Sequence, residues 1–262
     1  FFFKQKTAYE ILTCDWSSDV CSSDLYERVA MVAHYFKQAK PRSKILVLDA
    51  KDQFSKQGLF TAGWKAVYGE MIEWVPLSKD GRVTQVVPNE MTVVTEFGQR
   101  HRAAVVNIVP PQMAGKIAQD AGLANQTGWC PIDPMTFEST IVPGIHVVGD
   151  ATIAGAMPKS AFTANSHGKV CAAAVVKLIN GAKPDEPRLI NTCYSLVAPD
   201  YGISVADVFR VGPEGTIVPV AGACRILAVE KAGLCASAAT VTFLLKKKGR
   251  FCIRPVCTLY AH

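Results

Sequence analysis

Residues 143–179 constrain the fold more than any other part of this sequence, because they read as a strand, a tight turn and a long helix in succession. The apolar residues 145–148 predict a strand that ends at Gly149 and Asp150. A glycine lets the backbone approach a ligand closely, and a carboxylate accepts hydrogen bonds from sugar hydroxyls. The turn therefore suits a polar cofactor, although any strand-to-loop turn can hold Gly-Asp.

The helix that follows strengthens this interpretation. Pro158 suits the first helical position, and Lys159 and Ser160 open a helix that continues through an alanine-rich stretch to Gly181, a typical C-terminal glycine. The N-terminus of a helix favours negative charge. Gly149, Asp150, Pro158, Lys159 and Ser160 are therefore the candidate cofactor-binding residues.

An α/β unit is also visible earlier in the chain. Apolar residues at helical spacing predict a helix over residues 26–40, which Pro41 ends. The continuous apolar run 45–48, followed by Asp49, is typical of a strand buried on both faces. Helix and parallel strand form the back half of a βαβ unit, and we expect its first strand and glycine turn to be missing.

The remaining elements complete an α/β pattern. The sequence predicts a helix with a break near Gly58 and Gly63, a hairpin, three further strands and a short helix. In chain order these are the helix 54–69, the strand 72–75, the hairpin 82–87 with 91–95, the strand 103–109, the helix 113–121 and a strand ending at Phe209. Pro110 and Pro111 indicate a passage between domains.

Composition excludes several classes of protein. The 262 residues are 49% hydrophobic and 19% charged, which excludes intrinsic disorder, collagen and coiled coil. No apolar run is long enough for a membrane span. The net charge of +6 is too diffuse to indicate nucleic-acid binding, and no spacing indicates a metal site.

The two ends differ from the middle. Most cysteines lie in the first 25 residues or after Gly222, at spacings that match no disulfide scaffold. Residues 1–25 show no helical or strand period and resemble a translated sequencing adapter. Residues 222–262 fit a frameshifted tail, with an apolar strand and a basic run as the alternative.

Seven motifs in order carry a family resemblance. They are YER with VAHYF, LDAKDQFSKQGLF, VNIVPPQMAGKIAQDAGL, GWCPIDPMTFES, PGIHVVGDA, MPKSAFTANSHGKV and NTCYSLVAPDYGISVADVFR, and they cover residues 26–221. Together they resemble the flavoprotein, FAD-binding subunit of flavocytochrome c sulfide dehydrogenase.

The resemblance implies an enzyme, a sulfide:cytochrome c oxidoreductase with a redox-active disulfide beside FAD. It oxidises sulfide to sulfur or polysulfide and passes electrons to a cytochrome c subunit, which carries haem c, in the periplasm. Gly149 and Asp150 match the motif in which the Asp holds the ribityl chain. The helix opening at Pro158, Lys159 and Ser160 would stabilise the reduced flavin, and Cys193 matches one redox cysteine.

The resemblance also implies the domain organisation, a truncated α/β, Rossmann-like, three-layer flavoprotein reductase with two dinucleotide-binding domains. After the adapter-like segment 1–25, it implies a second, NADH-like nucleotide-binding domain lacking its first strand, the returning half of the FAD-binding domain, and the start of a C-terminal interface domain. These span residues 26–109, 110–183 and 184–221, before the doubtful residues 222–262.

Departures from the family pattern give an expectation for activity. The glycine-rich turn and the covalent FAD attachment segment are absent, and Cys21 falls in the register of the second redox cysteine among adapter-like neighbours. We therefore expect the fragment to be inactive alone. The alternatives are a sulfide:quinone or NAD(P)H-linked flavoprotein reductase, and a non-catalytic scaffold that docks a cytochrome.

Overall fold

The computed structural model describes the backbone of residues 9–14, 22–230, 241–247 and 250–256, and side chains within residues 24–224. The helices are α1 (Ser22–Ala39), α2 (Gln57–Tyr68), α3 (Lys116–Asp120) and α4 (Ala161–Ile179). The strands up to residue 131 are β1 (Tyr9–Cys14), β2 (Lys44–Asp49), β3 (Ile72–Val75), β4 (Val83–Val87), β5 (Thr92–Thr95), β6 (Arg100–Arg102), β7 (Val105–Val109) and β8 (Cys130–Pro131). The later strands are β9 (Thr152–Ile153), β10 (Leu189–Ala198), β11 (Tyr201–Val211), β12 (Ile217–Pro219), β13 (Arg225–Glu230), β14 (Val241–Lys247) and β15 (Arg250–Val256).

A parallel sheet of four strands, in the order β3-β2-β1-β7, forms the first half of the molecule. The expectation that this sheet lacks its first strand is wrong, because β1 lies between β2 and β7 and pairs with both. Pairing on both sides satisfies the backbone groups of β1 even though its sequence has no strand period. The predicted domain bounds themselves remain predictions.

The helices α1 and α2 cover one face of this sheet and bury its largest hydrophobic cluster. α1 ends before Pro41, as predicted, and β2 is buried along nearly its whole length. α2 runs without the break expected near Gly58 and Gly63. A Cβ on Gly63 would lie 2.9 Å from Val197 Cγ1, so this glycine serves the close approach of α2 to β10.

Two antiparallel units complete the described chain. The predicted hairpin is present as β4 and β5, extended by β6. A long hairpin of β10 and β11 carries β12 and β13 on the outer side of β11. Since β13 joins this sheet, the ordered unit continues past Gly222, where the sequence suggested a break. Within the tail, β14 and β15 pair with each other.

Two predictions around the most informative stretch are wrong. Residues 145–148 form no strand and make only an isolated bridge between His146 and Glu138, because no strand in the described part of the chain lies beside them to complete a ladder. Pro158 is not the first helical residue, since α4 begins at Ala161 with Ser160 as its N-cap. Gly181 ends the helix with φ +68°, as predicted.

Helices able to cross a membrane would need a long apolar stretch, and none of the described helices has one.

Candidate functional site

The N-terminus of α4 is organised by its capping residue. The backbone N–H of Thr163 donates to Ser160 Oγ at 3.1 Å, which satisfies one of the amides that a helix start leaves without an acceptor. Ala161 and Phe162, the first two residues of α4, are exposed. Ser160 itself is buried, so the helix start is fixed while its positive end faces outward.

The Gly149 turn packs directly against α4. Gly149 has φ +76°, a left-handed conformation that favours glycine, and a Cβ there would lie 3.2 Å from Ala164 Cβ. Its N–H donates to Nδ1 of His167 at 3.3 Å. Asp150, in the same short turn, is exposed. The predicted pair of residues is thus held against the helix that follows it.

His167 is the buried support of this turn. It is 1% exposed, and burial, with a smaller contribution from the charge of Lys159, lowers the pKa of His167 to about 4. Since Nδ1 accepts from Gly149, the proton of the neutral ring lies on Nε2, which is 3.4 Å from Met157 Sδ. The histidine therefore remains a neutral acceptor at ordinary pH.

Lys159 supplies a positive charge beside the turn. Its ammonium donates to the carbonyl oxygen of Asp150 and, at 2.8 Å, to that of Thr152. The same ammonium lies 3.7 Å from the ring centroid of Trp129, a cation–π distance. Trp129 is buried, and its indole N–H finds no acceptor among the described residues.

Two cavities meet at Pro158 and Lys159. One, of ≈ 250 Å³, is lined by Gly149, Trp129 and His167 as well. The other, of ≈ 440 Å³, extends from Lys159 toward Phe54 after β2 and toward the β11 sheet. A larger surface groove of ≈ 810 Å³ lies along α1, away from this cluster. The space beside α4 therefore combines a helix N-terminus, the ammonium of Lys159 and the side chain of Trp129.

Cys193 joins this cluster through one neighbour. It lies on β10, partly exposed, and its Sγ is 3.4 Å from both Oδ1 and Nδ2 of Asn191. Asn191 Oδ1 also accepts from Ser160 Oγ at 2.7 Å and from Thr163 Oγ1 at 3.1 Å. All six residues singled out from the sequence thus lie around the start of α4.

Three other cysteines have described side chains. Cys130 is fully buried, and burial raises the pKa of its thiol. Cys171 is partly buried on α4 and packs against a hydrophobic cluster, while Cys224 is exposed. Cys21 lies outside the described residues.

Sequence reasoning missed three residues of this site, Asn191, His167 and Trp129. Two had a usable signal: Asn191 precedes Cys193 by two positions and so shares its face of a strand, and His167 follows Thr163 by four positions on a helix. Trp129 had none, because its contact with Lys159 depends on how a loop folds over the turn.

Family models match two parts of the chain and together cover more than half of it. Residues 13–110 match the sulfide dehydrogenase (flavocytochrome c) flavoprotein chain, central. Residues 185–240 match the flavocytochrome c sulphide dehydrogenase, flavin-binding. The chain belongs to this flavoprotein family. The second match runs to residue 240, beyond the break expected near Gly222, and the first begins within the segment interpreted as adapter-like.

Solved structures show the same fold at low identity. The sulfide:quinone oxidoreductase of Aquifex aeolicus is 14% identical with a TM-score of 0.62, covering 85% of this chain and 54% of that one. A chain in the mitochondrial ATP synthase of Tetrahymena thermophila is 14% identical with a TM-score of 0.55, covering 78% of this chain and 51% of that one. This flavoprotein-family chain thus spans about half the length of these structures. The chain has part of the α/β fold of the flavoprotein reductases with two dinucleotide-binding domains, as predicted.

Proposed function

We propose that this chain is part of an enzyme that oxidises sulfide at FAD and passes the electrons to a cytochrome c subunit. The observation that carries the proposal is the joining of the Gly149 turn, Lys159 and Cys193 around one helix N-terminus in a member of the flavocytochrome c sulfide dehydrogenase flavoprotein family.

The residues beside α4 fit a flavin. Gly149 lines the ≈ 250 Å³ cavity without a side chain, Lys159 lines the same cavity, and the buried indole N–H of Trp129 has no acceptor among the described residues. We propose that Gly149 and Asp150 hold the ribityl chain and that Pro158, Lys159 and Ser160 present the helix start to the ring system. When bound, FAD would accept the electron pair released as sulfide becomes zero-valent sulfur.

The chain's own residues supply electrostatics and a thiol. The positive end of α4 and the ammonium of Lys159 stabilise negative charge that develops beside them. Cys193 is partly exposed and lies next to the same helix start, which suits a thiolate that exchanges with sulfur species. We therefore propose Cys193 as a redox cysteine, with its disulfide partner provided by the complete protein.

The cytochrome c partner with its haem c, the periplasmic location and the domain division 26–109, 110–183 and 184–221 belong to the same proposal. They rest on the family to which the chain belongs.

One observation argues against the nicotinamide-linked alternative. In dinucleotide-binding folds, an acidic residue after the second strand binds the ribose. Asp49 occupies that position here, but it is fully buried and accepts from Tyr26 Oη at 2.5 Å and from Trp74 Nε1 at 3.0 Å. Its carboxylate is already committed within the protein.

Flavin binding is tested by titrating FAD into the purified chain and following flavin fluorescence. We expect weak, saturable binding that Gly149→Ala weakens several-fold, because the added Cβ presses on Ala164 at the cavity wall. Gly144→Ala is the matched control, since Gly144 also has a positive φ, +79°, but has open space around it. Absence of saturable binding, or equal effects of the two variants, would contradict the proposed site.

Activity is tested on the complete gene product, obtained by reading the source DNA across the junction of Leu25 and Tyr26. The complete protein should purify yellow, and sulfide should bleach it anaerobically, whereas Cys193→Ser should not bleach and Cys171→Ser should. A colourless protein that still binds cytochrome c would identify a docking scaffold instead.

A further inference from the structure

The face of β10 that carries Cys193 is anchored on both sides of the cysteine. Because side chains alternate along a strand, Asn191, Cys193 and Ser195 share this face. Asn191 is bonded to the start of α4, and Ser195 Oγ accepts from the buried Lys56 Nζ, just before α2, at 2.8 Å. The thiol therefore lies between two anchored side chains, of which Asn191 contacts the sulfur.

Asn191 is buried, and its carbonyl oxygen accepts hydrogen bonds from two hydroxyls of α4 and its cap. The residue is 1% exposed, and Oδ1 accepts from the hydroxyls of Ser160 and Thr163 at 2.7 and 3.1 Å. These two donors fix the orientation of the amide, so Nδ2 faces the sulfur of Cys193 at 3.4 Å. A buried side-chain amide with both ends committed has no freedom to turn away.

This geometry serves both protonation states of the cysteine. The thiol S–H can donate to Oδ1, and the thiolate can accept from Nδ2 when the proton has left. A hydrogen bond to the charged form of a group favours that form. The amide thus offers the sulfur a partner before and after deprotonation.

We infer that Asn191 is a positioning residue for Cys193: its side-chain amide holds the sulfur beside the start of α4 and donates a hydrogen bond to the thiolate. The inference deepens the proposed function, since it rests on the redox role of Cys193. The first-turn hydroxyls of Ser160 and Thr163 act through Asn191, which links the candidate flavin-binding helix to the thiol.

The test is the alkylation rate of Cys193 by iodoacetamide in the full 262-residue chain, followed by peptide mass spectrometry across a range of pH. In this reaction the thiolate attacks the methylene carbon, a C–S bond forms and iodide leaves. Neither flavin nor sulfide takes part, so failure of the proposed function would leave this result intact.

The first variant is Asn191→Asp. The aspartate retains an oxygen for Ser160 and Thr163 but places a second oxygen, instead of the N–H donor, against the sulfur. We expect the alkylation rate at neutral pH to fall roughly three- to tenfold and the midpoint of the pH–rate profile to move to higher pH. The carboxylate also adds a negative charge beside the sulfur, which by itself disfavours the thiolate, so the uncharged variant Asn191→Ser decides whether the lost N–H donor is responsible.

Two further variants complete the design. Asn191→Ser removes the N–H donor from the sulfur without adding a charge, and it should also slow the alkylation. Ser195→Ala removes the anchor on the other side of Cys193 and should leave the rate unchanged. Folded Asn191 variants with wild-type rates and midpoints would overturn the inference.

Discussion

The aromatic cluster beneath α1 and the polar junction at the start of α4 hold the molecule together in opposite ways. In the cluster, Tyr26 stacks on Phe54 with ring centroids 3.6 Å apart, and Phe60 and Trp64 pack around them. The cluster stabilises the fold by burying a large apolar area, and this contribution depends little on the exact orientation of each ring.

At the junction the side chains are held by hydrogen bonds, which depend on the orientation of donor and acceptor. Ser160, Thr163, Asn191 and Cys193 interact through hydrogen bonds whose lengths and donors are specific. Each bond contributes little net stability, yet an unsatisfied partner is costly. The comparison teaches that this chain separates the part that stabilises it from the part that positions its reactive groups.

The largest expected effect is on the aromatic cluster. Phe60 is fully buried, and Phe60→Ala should lower the free energy of unfolding by about 3–5 kcal/mol through lost burial and the cavity left behind. Urea denaturation followed by circular dichroism measures this. Phe97→Ala is the matched control, because Phe97 is 79% exposed. Similar losses in both variants would show that the cluster does not carry the stability.

The next effect is a loss of stability at acid pH, and it tests the polar junction through His167. The pKa of His167 is lowered to about 4 from its ordinary 6.5, so between these values the unfolded chain takes up a proton that the folded chain resists. This stability is fully present above pH 6.5 and is lost as pH falls toward 4, by up to about 3 kcal/mol.

His167→Gln should remove this pH dependence, since glutamine can still accept from the N–H of Gly149 but does not titrate. Thermal unfolding of both proteins at a series of pH values gives the comparison. If the two curves run parallel between pH 6.5 and 4, the buried histidine is not the group responsible.

A smaller effect is expected at the helix cap. Ser160→Ala removes the acceptor of Thr163 N–H and one of the donors to Asn191, which should cost about 1–2 kcal/mol. Ser160→Thr keeps the hydroxyl and should retain most of the stability. Equal unfolding midpoints for the alanine and threonine variants would argue that the cap is not used.

The smallest effect is expected at an exposed ion pair, which is compared with a buried hydrogen bond of the same length. Lys116 Nζ and Asp120 Oδ1 are 2.7 Å apart, the same distance as Ser160 Oγ and Asn191 Oδ1, but the ion pair is exposed. Lys116→Ala should change the unfolding free energy by less than about 0.5 kcal/mol. A loss as large as that of Ser160→Ala would contradict the argument that burial makes the junction sensitive.

The sequence by itself determined the elements whose signals are local. The spacing of apolar residues predicted α1, β2, β3 and the hairpin of β4 and β5, and Gly181 marked the end of α4. These predictions hold because helical and strand periods are properties of neighbouring residues. The seven motifs over residues 26–221 also sufficed to indicate the family.

Tertiary structure decided the rest. Residues 145–148 have the composition of a strand but no neighbouring strand in the described chain, while β1 has no strand period but a partner on each side. The bond between Ser160 and Asn191 joins residues 31 positions apart, and that between Lys56 and Ser195 joins residues 139 apart. Such contacts depend on how whole elements pack, because a buried polar group takes whichever partner the fold brings within reach.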